Sequence, residues 1–365
     1  MKKNNLKILH INKFYYPDIG GVETVVRQYS EHLSLYDTVT VLCVSKKFTL
    51  KTRKETINNV KIIRSPSLGT YFSMPVSIAF FLIFFKIKNE YDIIHFHEPF
   101  PLGSILSLFI KSNKKIIITW HSDIIKQKLL KKTVEIFQNL LCKKANIITA
   151  TSPNLLNFSD VIAKYKSKAI ILPLSIKAEK EISNSDKGYI LCLGRLSYYK
   201  GIDILLQAYE KTKTELRLII VGDGEKEIVD QIKRFSKTSS KEITFVNKFV
   251  TESEKTDYLK NCSFFVFPST APSEAFGILQ LEAMIHGKPV INTNLPTGVP
   301  YVSVDNITGI TVNPGNIEQL SSAIDELSSD IHLRNSLGVA AHNRVLSEFS
   351  DEIVLKKLKN KYLTI

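Results

Sequence analysis

Apolar residues along the chain fall into short, nearly unbroken runs separated by longer segments in which they recur every three or four positions. The runs KILHIN (7–12), TVTVLCV (38–44), VKIIR (60–64), DIIHF (92–96), KIIIT (115–119), NIITA (146–150) and AIILPL (169–174) are rich in β-branched residues. Each is strand-length and bounded by polar residues. Continuous apolar strands belong in a parallel sheet covered on both faces, and the intervening helical periodicity supplies the cover. The alternation stops at SIKAEKEISNSDKG (175–188) and resumes with YILCL (189–193), LRLIIV (216–221), EITFV (242–246), SFFVF (263–267) and KPVIN (288–292). The predicted fold class is therefore α/β, with two doubly wound domains over residues 1–175 and 176–349. Residues 350–365 carry a further helix with Ser350 as its N-cap, expected to pack back toward the first domain.

Length agrees with two domains, since 365 residues exceed what one hydrophobic core usually serves. Hydrophobic residues at 44% and charged residues at 23% are ordinary for a folded chain, which excludes a disordered or fibrous protein. Cys43, Cys142, Cys192 and Cys262 are scattered without a CxxC pair, so buried free thiols in a reducing compartment are expected. The N-terminal apolar run is too short for a secretory signal, and a cytoplasmic location is expected.

Charge changes the picture more. The net charge is +14, and residues 1–175 hold 26 Lys and Arg against 11 Asp and Glu. A basic half calls for an anionic partner. No zinc, RRM or basic-helix pattern is present and the lysines are not interleaved with aromatics, so nucleic acid is not expected. The apolar segment MPVSIAFFLIFFKIK (74–88) falls short of the ~20 residues that span a bilayer. With the lysine- and leucine-rich segment 124–144 it reads as peripheral attachment to an anionic membrane surface, at the inner face of the plasma membrane. A buried helix at 76–85 with merely solvating lysines reads equally well.

In open α/β sheets ligands bind beyond the carboxyl ends of the strands, so polar residues just past the apolar runs are the candidates. Gly20-Gly21 follow the first run and precede an amphipathic helix, where glycine lets a backbone approach a phosphate; a plain turn fits as well. Arg195 and Lys200, in GRLSYYKG, have the spacing to clamp a diphosphate or to be solvated. Gly222, in VGDGEKE, marks a turn after another run. The HFHEPFP segment places His95 and His97 two apart, which invites a metal reading, yet a third ligand at zinc-like spacing is missing.

The segment SEAFGILQLEAM carries Glu274 just before a helix and Glu282 on it, eight positions later. With 1.5 Å of rise per residue, the amides near Gly277 and the Glu282 carboxylate are roughly 7 to 8 Å apart along the axis. That span suits a nucleotide, its phosphate at the helix start and its ribose diol on Glu282.

This segment resembles the E-x7-E signature of the family-4 retaining glycosyltransferases of the GT-B fold. The Gly-Gly turn, the G-R-L-x-x-x-K-G segment and the V-G-D-G turn of that family occur in the same order, over most of the chain. Residues 294–316 are similar to bacterial mannosyl- and rhamnosyltransferase-like members that build surface polysaccharides. The resemblance implies two Rossmann-like domains facing across a cleft, the first binding acceptor and the second binding a nucleotide sugar. It implies that Arg195 and Lys200 hold the donor diphosphate, Glu282 the ribose and Glu274 the transferred sugar. The amides of Phe276, Gly277, Ile278 and Leu279 would assist, with Gly20, Gly21 and Gly222 on the donor side. His121, in TWHSD, matches the histidine beside the donor sugar, and His95 and His97 match a strand end on the acceptor side. The implied acceptor is a glycan or polyprenyl-linked glycan. No cofactor is implied, and without a D-x-D motif no metal is expected. The alternative is a nucleoside diphosphate sugar 2-epimerase or hydrolase of the same fold. A dehydrogenase would need the GxGxxG fingerprint, which is absent.

Overall fold

The structure, a computed structural model, describes residues 5–18, 20–71, 74–111, 113–124 and 128–365. It divides into two compact units, Met1–Pro173 with Leu355–Ile365, and Leu174–Val354.

The first unit holds β1 (Lys7–Ile11), β2 (Thr38–Val44), β3 (Arg53–Ile57), β4 (Val60–Ser65), the hairpin strands β5 (Thr70–Tyr71) and β6 (Met74–Pro75), β7 (Ile93–Glu98), β8 (Lys115–Trp120), β9 (Ile147–Ala150) and β10 (Ala169–Ile171). Its main sheet runs β10-β9-β8-β7-β1-β2-β4-β3. All neighbours are parallel except β3, which pairs antiparallel with β4. The sequence pattern does not announce β3, because RKETI is polar and lies at the sheet edge. Its turn is legible afterwards: Asn58 and Asn59 take φ of 48° and 65°, the left-handed pair a two-residue hairpin needs. The chain goes from β1 to β2 on one side and returns to β7 on the other, so a topological switch point lies between β1 and β7.

The two faces of this sheet differ in chemistry. Leu9, Ile11, Ile94, Phe96, Ile118 and Trp120 point to one side and join an apolar cluster with Phe80 and Phe84. Side chains alternate along a strand, so His10, His95, His97, Thr119 and Thr149 share the other side. The register sets His10 beside His95, His97 beside Thr119, and Thr119 beside Thr149. Phe80 and Phe84 come from the helix Ile78–Ile87, capped by Ser77 Oγ accepting from Phe80 N at 3.1 Å. That helix is neither wholly core nor wholly surface, since it buries Phe80 and Phe84 and exposes Ile78 and Leu82. Part of the basic segment 124–144, Ile125 to Gln127, lies outside the described residues. Among the described residues no helix is long and apolar enough to cross a membrane.

The second unit holds β11 (Tyr189–Leu193), β12 (Arg217–Val221), β13 (Ile243–Val246), β14 (Phe264–Val266), β15 (Val290–Thr293) and β16 (Gly309–Val312), in the order β13-β12-β11-β14-β15-β16. All are parallel, and the switch point lies between β11 and β14. The polar stretch 175–188 is pinned to this unit. Lys187 N donates to Asn261 O at 2.8 Å, Ser183 Oγ to Lys260 O at 2.9 Å, and Asp186 pairs with Arg334 at 3.3 Å. The helix Asp351–Leu363 starts in the second unit, where Asp351 N donates to Ile176 O at 2.9 Å. Its last residues belong to the first unit, with Tyr362 buried there.

Candidate functional site

In the second unit the candidates gather at the switch point. Arg195 and Lys200 follow β11, and Glu274 lies in the turn between β14 and the helix Ile278–Met284. The Arg195 loop is locked to the turn after β12: Leu196 N donates to Asp223 O at 2.9 Å and Glu225 N to Leu196 O at 2.8 Å. This approach explains the glycines. A Cβ on Gly222 would stand 2.0 Å from Gly194 O, and one on Gly224 would stand 1.9 Å from Leu196 O. Gly222 thus serves the packing of one turn on another.

Arg195 is exposed and makes no hydrogen bond or ion pair among the described residues. Lys200 behaves differently, since its Nζ donates to Glu274 Oε2 at 2.6 Å and lies 4.6 Å from the centre of the Phe267 ring. The residues assigned to the diphosphate and to the sugar are therefore direct neighbours. Gly277 begins the short helix with φ of 81°, and a Cβ there would meet the Phe267 ring at 2.8 Å. Among the described residues the amides of Phe276, Gly277, Ile278 and Leu279 donate to no protein acceptor. The Phe276 side chain is buried in the apolar cluster, so that residue offers only its backbone.

Glu282 has a partner that sequence reasoning missed. Lys255, on the helix Glu252–Asn261, donates to Glu282 Oε1 at 3.0 Å. Glu282 Oε2 lies 2.9 Å from the same nitrogen at an angle unsuited to a hydrogen bond. Burial raises the Glu282 pKa, and the Lys255 charge opposes that rise. Lys255 also reaches Glu252 at 2.8 Å. Nothing in the sequence links positions 255 and 282.

In the first unit, Gly20 and Gly21 open the helix Gly21–Ser34, and the Glu23 carboxylate lies against Gly20. His95, His97 and His121 come together. His97 Nδ1 is 3.1 Å from His121 Nε2, and the rings stack with centroids 5.4 Å apart. His121 N donates to Glu98 O at 2.9 Å. The following loop is held by Asp123, which accepts from Trp120 Nε1 at 2.8 Å and Ser159 Oγ at 2.7 Å. Glu98 is buried on the other face, accepting from Phe100 N, Ser104 Oγ and Gln138 Nε2, and burial raises its pKa to about 7.

The third histidine that the local spacing lacked is supplied by the fold. His10 on β1 lies next to β7, and nitrogens of His10, His95 and His97 fall within 4.8 Å of one another. Its signal in the sequence is a histidine in the otherwise apolar run KILHIN. His95 Nδ1 bonds Tyr362 Oη, and its Nε2 is 2.7 Å from Thr119 Oγ1.

Two doubly wound sheets, parallel but for the edge strand β3, make up the fold of the GT-B class. Residues 19–160 match the model described as Glycosyltransferase Family 4, and residues 175–344 that described as Glycosyl transferases group 1. The chain is 29% identical over 375 residues to the O-antigen chain mannosyltransferase C of Escherichia coli, covering 99% of each. It is 26% identical to the D-rhamnosyltransferase WbpZ of Pseudomonas aeruginosa, covering 85% of this chain and 83% of that one. Among solved structures, Anabaena HepE in complex with UDP and glucose has the same fold, with a TM-score of 0.75 at 18% identity over 99% of this chain and 100% of that one. The protein belongs to the GT-B glycosyltransferases and is related to the bacterial mannosyl- and rhamnosyltransferases of surface polysaccharide synthesis.

Proposed function

We propose that the protein transfers a hexose from a nucleoside diphosphate sugar, with retention, to a glycan or polyprenyl-linked glycan, at the inner surface of an anionic membrane. The observation that carries this reading is the group past β11 and β14: exposed Arg195, Lys200 paired with Glu274, and the unengaged amides of 276–279. Cations and unpaired amides suit a diphosphate, and acids beside them suit hydroxyls.

In the reaction the bond between the anomeric carbon and the diphosphate oxygen breaks, and its electron pair leaves with the diphosphate. Arg195, Lys200 and the amides of Phe276, Gly277, Ile278 and Leu279 stabilise that charge as it develops. The acceptor oxygen bonds to the same face of the anomeric carbon, and its proton passes to the departing phosphate oxygen. Glu274 orients the sugar hydroxyls, His121 contacts the sugar, and Glu282 accepts hydrogen bonds from the ribose diol. Gly20, Gly21 and Gly222 shape the donor side, while His95 and His97 lie on the acceptor side. In this reading the first unit binds acceptor, the second binds donor, and no metal takes part.

The relatives support the substrate class, since one is named a mannosyltransferase of an O-antigen chain and HepE was solved with UDP and glucose. Incubation with labelled nucleotide sugars, with and without a polyprenyl-linked glycan, tests it. Sugar should move only when acceptor is present. Release of free sugar or of an isomerised donor without acceptor would overturn the reading.

A further inference from the structure

The histidines of the first unit form a single file. His10 Nδ1 lies 2.9 Å from His97 Nε2, and His97 Nδ1 lies 3.1 Å from His121 Nε2. The three rings are stacked in succession, each pair at an interplanar angle of 20°. Exposure rises along the file, from 0% at His10 through 1% at His97 to 7% at His121. Only its His121 end reaches accessible space.

A neutral imidazole carries one N–H and one lone pair, so the proton position on one ring dictates the next. Burial keeps the rings neutral: it lowers the pKa of His10 and His121 to about 3 and that of His97 well below the usual value. Two arrangements satisfy both hydrogen bonds. If donation runs from His121 toward His10, the file ends in an N–H at His10 Nε2, an atom that is buried and without a partner among the described residues. If it runs from His10 toward His121, only a lone pair is left there. A buried N–H without an acceptor is the rarer and more costly defect, so donation runs outward.

We propose that His10 and His97 are positioning residues that hold His121 as its Nδ1–H tautomer, so that His121 meets the donor sugar as a hydrogen-bond donor and offers it no basic nitrogen. Nε2 of His121 is taken by His97, and its Nδ1 has no partner among the described residues. The group it addresses is an oxygen acceptor, either a sugar hydroxyl or a phosphate oxygen. The acceptor proton must then leave by another route, as the transfer to the departing phosphate oxygen already supplies. The contact with sugar rests on the proposed function; the tautomer does not.

A metal held by His10, His95 and His97 is the competing use of these rings. It would need three lone pairs, yet both nitrogens of His95 and both of His97 are engaged in hydrogen bonds. Only His10 Nε2 is unclaimed.

Long-range proton–nitrogen NMR on the full chain labelled with ¹⁵N-histidine reads the tautomer directly, with the His121 signals identified by their loss in His121→Ala. At neutral pH, His121 should be protonated at Nδ1 and bare at Nε2. In His97→Leu that single form should be lost, with kcat down on the order of 10²-fold and nucleoside diphosphate affinity unchanged. His97→Asn, whose amide replaces the Nδ1–H donor, should keep the tautomer and recover most of the rate. Protonation of wild-type His121 at Nε2 overturns the proposal. So does one equivalent of divalent metal found on these rings in the purified protein, or equal kcat in the Leu and Asn variants. Undiminished transfer by His121→Ala would instead remove the contact with sugar and leave the NMR result to decide the tautomer.

Discussion

The ammonium of Lys200 and the carboxylate of Glu274 sit 2.6 Å apart, with 14% and 13% of their side chains exposed. A donor that engages both must exchange this bond for two others, so the two residues should fail differently. Glu274→Gln frees the lysine and is expected to leave nucleoside diphosphate affinity unchanged or improved, while kcat falls. Lys200→Ala should weaken that affinity by about 1.5 to 3 kcal/mol, the usual worth of a hydrogen bond to a charged group. Titration calorimetry with the diphosphate and a kcat comparison separate them. Equal loss of diphosphate affinity in both variants would contradict the division of roles.

Lys255 carries the next prediction. It opposes the burial that raises the Glu282 pKa, so Lys255→Met should raise it further. In the proposed role the ribose hydroxyls donate more strongly to the Glu282 carboxylate than to its protonated acid, which keeps less acceptor capacity and presents an O–H of its own. Donor affinity of the variant should therefore be weakened at mildly acidic pH and recover as pH rises, while the wild type changes less. Affinity measured from pH 5 to 8 checks this, and parallel curves for the two proteins would rule it out.

Glu98 gives a stability signature. Its carboxyl pKa is raised by burial from 4.5 unfolded to about 7 folded. The folded state holds the proton more tightly, so this contribution is complete below about 4.5 and disappears as pH rises to about 7. The loss is roughly 3 kcal/mol. Glu98→Gln, neutral at every pH, should melt several degrees above wild type at pH 8 and close to it at pH 4.5. A difference in Tm independent of pH would refute the assignment.

The sequence pattern shows the two sheets clearly because parallel strands are buried on both faces and so read as apolar runs. It hides β3, which is polar and at an edge, and β16, an edge strand whose short run GITV opens on glycine. The second unit's candidates are legible because each lies in a local turn at a strand end or on the helix that follows it. Lys255 and His10 are not, since their partners lie 27 and 87 positions away. What His10 does leave is a trace in period: it stands in an apolar run, and His95 and His97 alternate with apolar residues in another.

The first unit should attach to anionic membranes through the outer face of the helix Ile78–Ile87. That helix leaves Ile78 70% and Leu82 64% exposed, in the half of the chain that carries the excess of Lys and Arg. Two apolar side chains entering the interface would each contribute up to about 1.5 to 3 kcal/mol. Each nearby lysine adds about 1 kcal/mol on an acidic leaflet, screened over roughly 8 Å at physiological ionic strength. Flotation with vesicles should therefore recover the protein on anionic and not on neutral lipid, and salt should reverse it. Ile78→Glu and Leu82→Glu should abolish flotation while leaving Tm within a few degrees of wild type. Phe84→Glu should unfold the first unit, because that ring lies in the apolar cluster with Phe80 and Phe96. If Leu82→Glu floats as well as wild type, or if recovery is the same on neutral vesicles, this face of the helix is not the point of attachment.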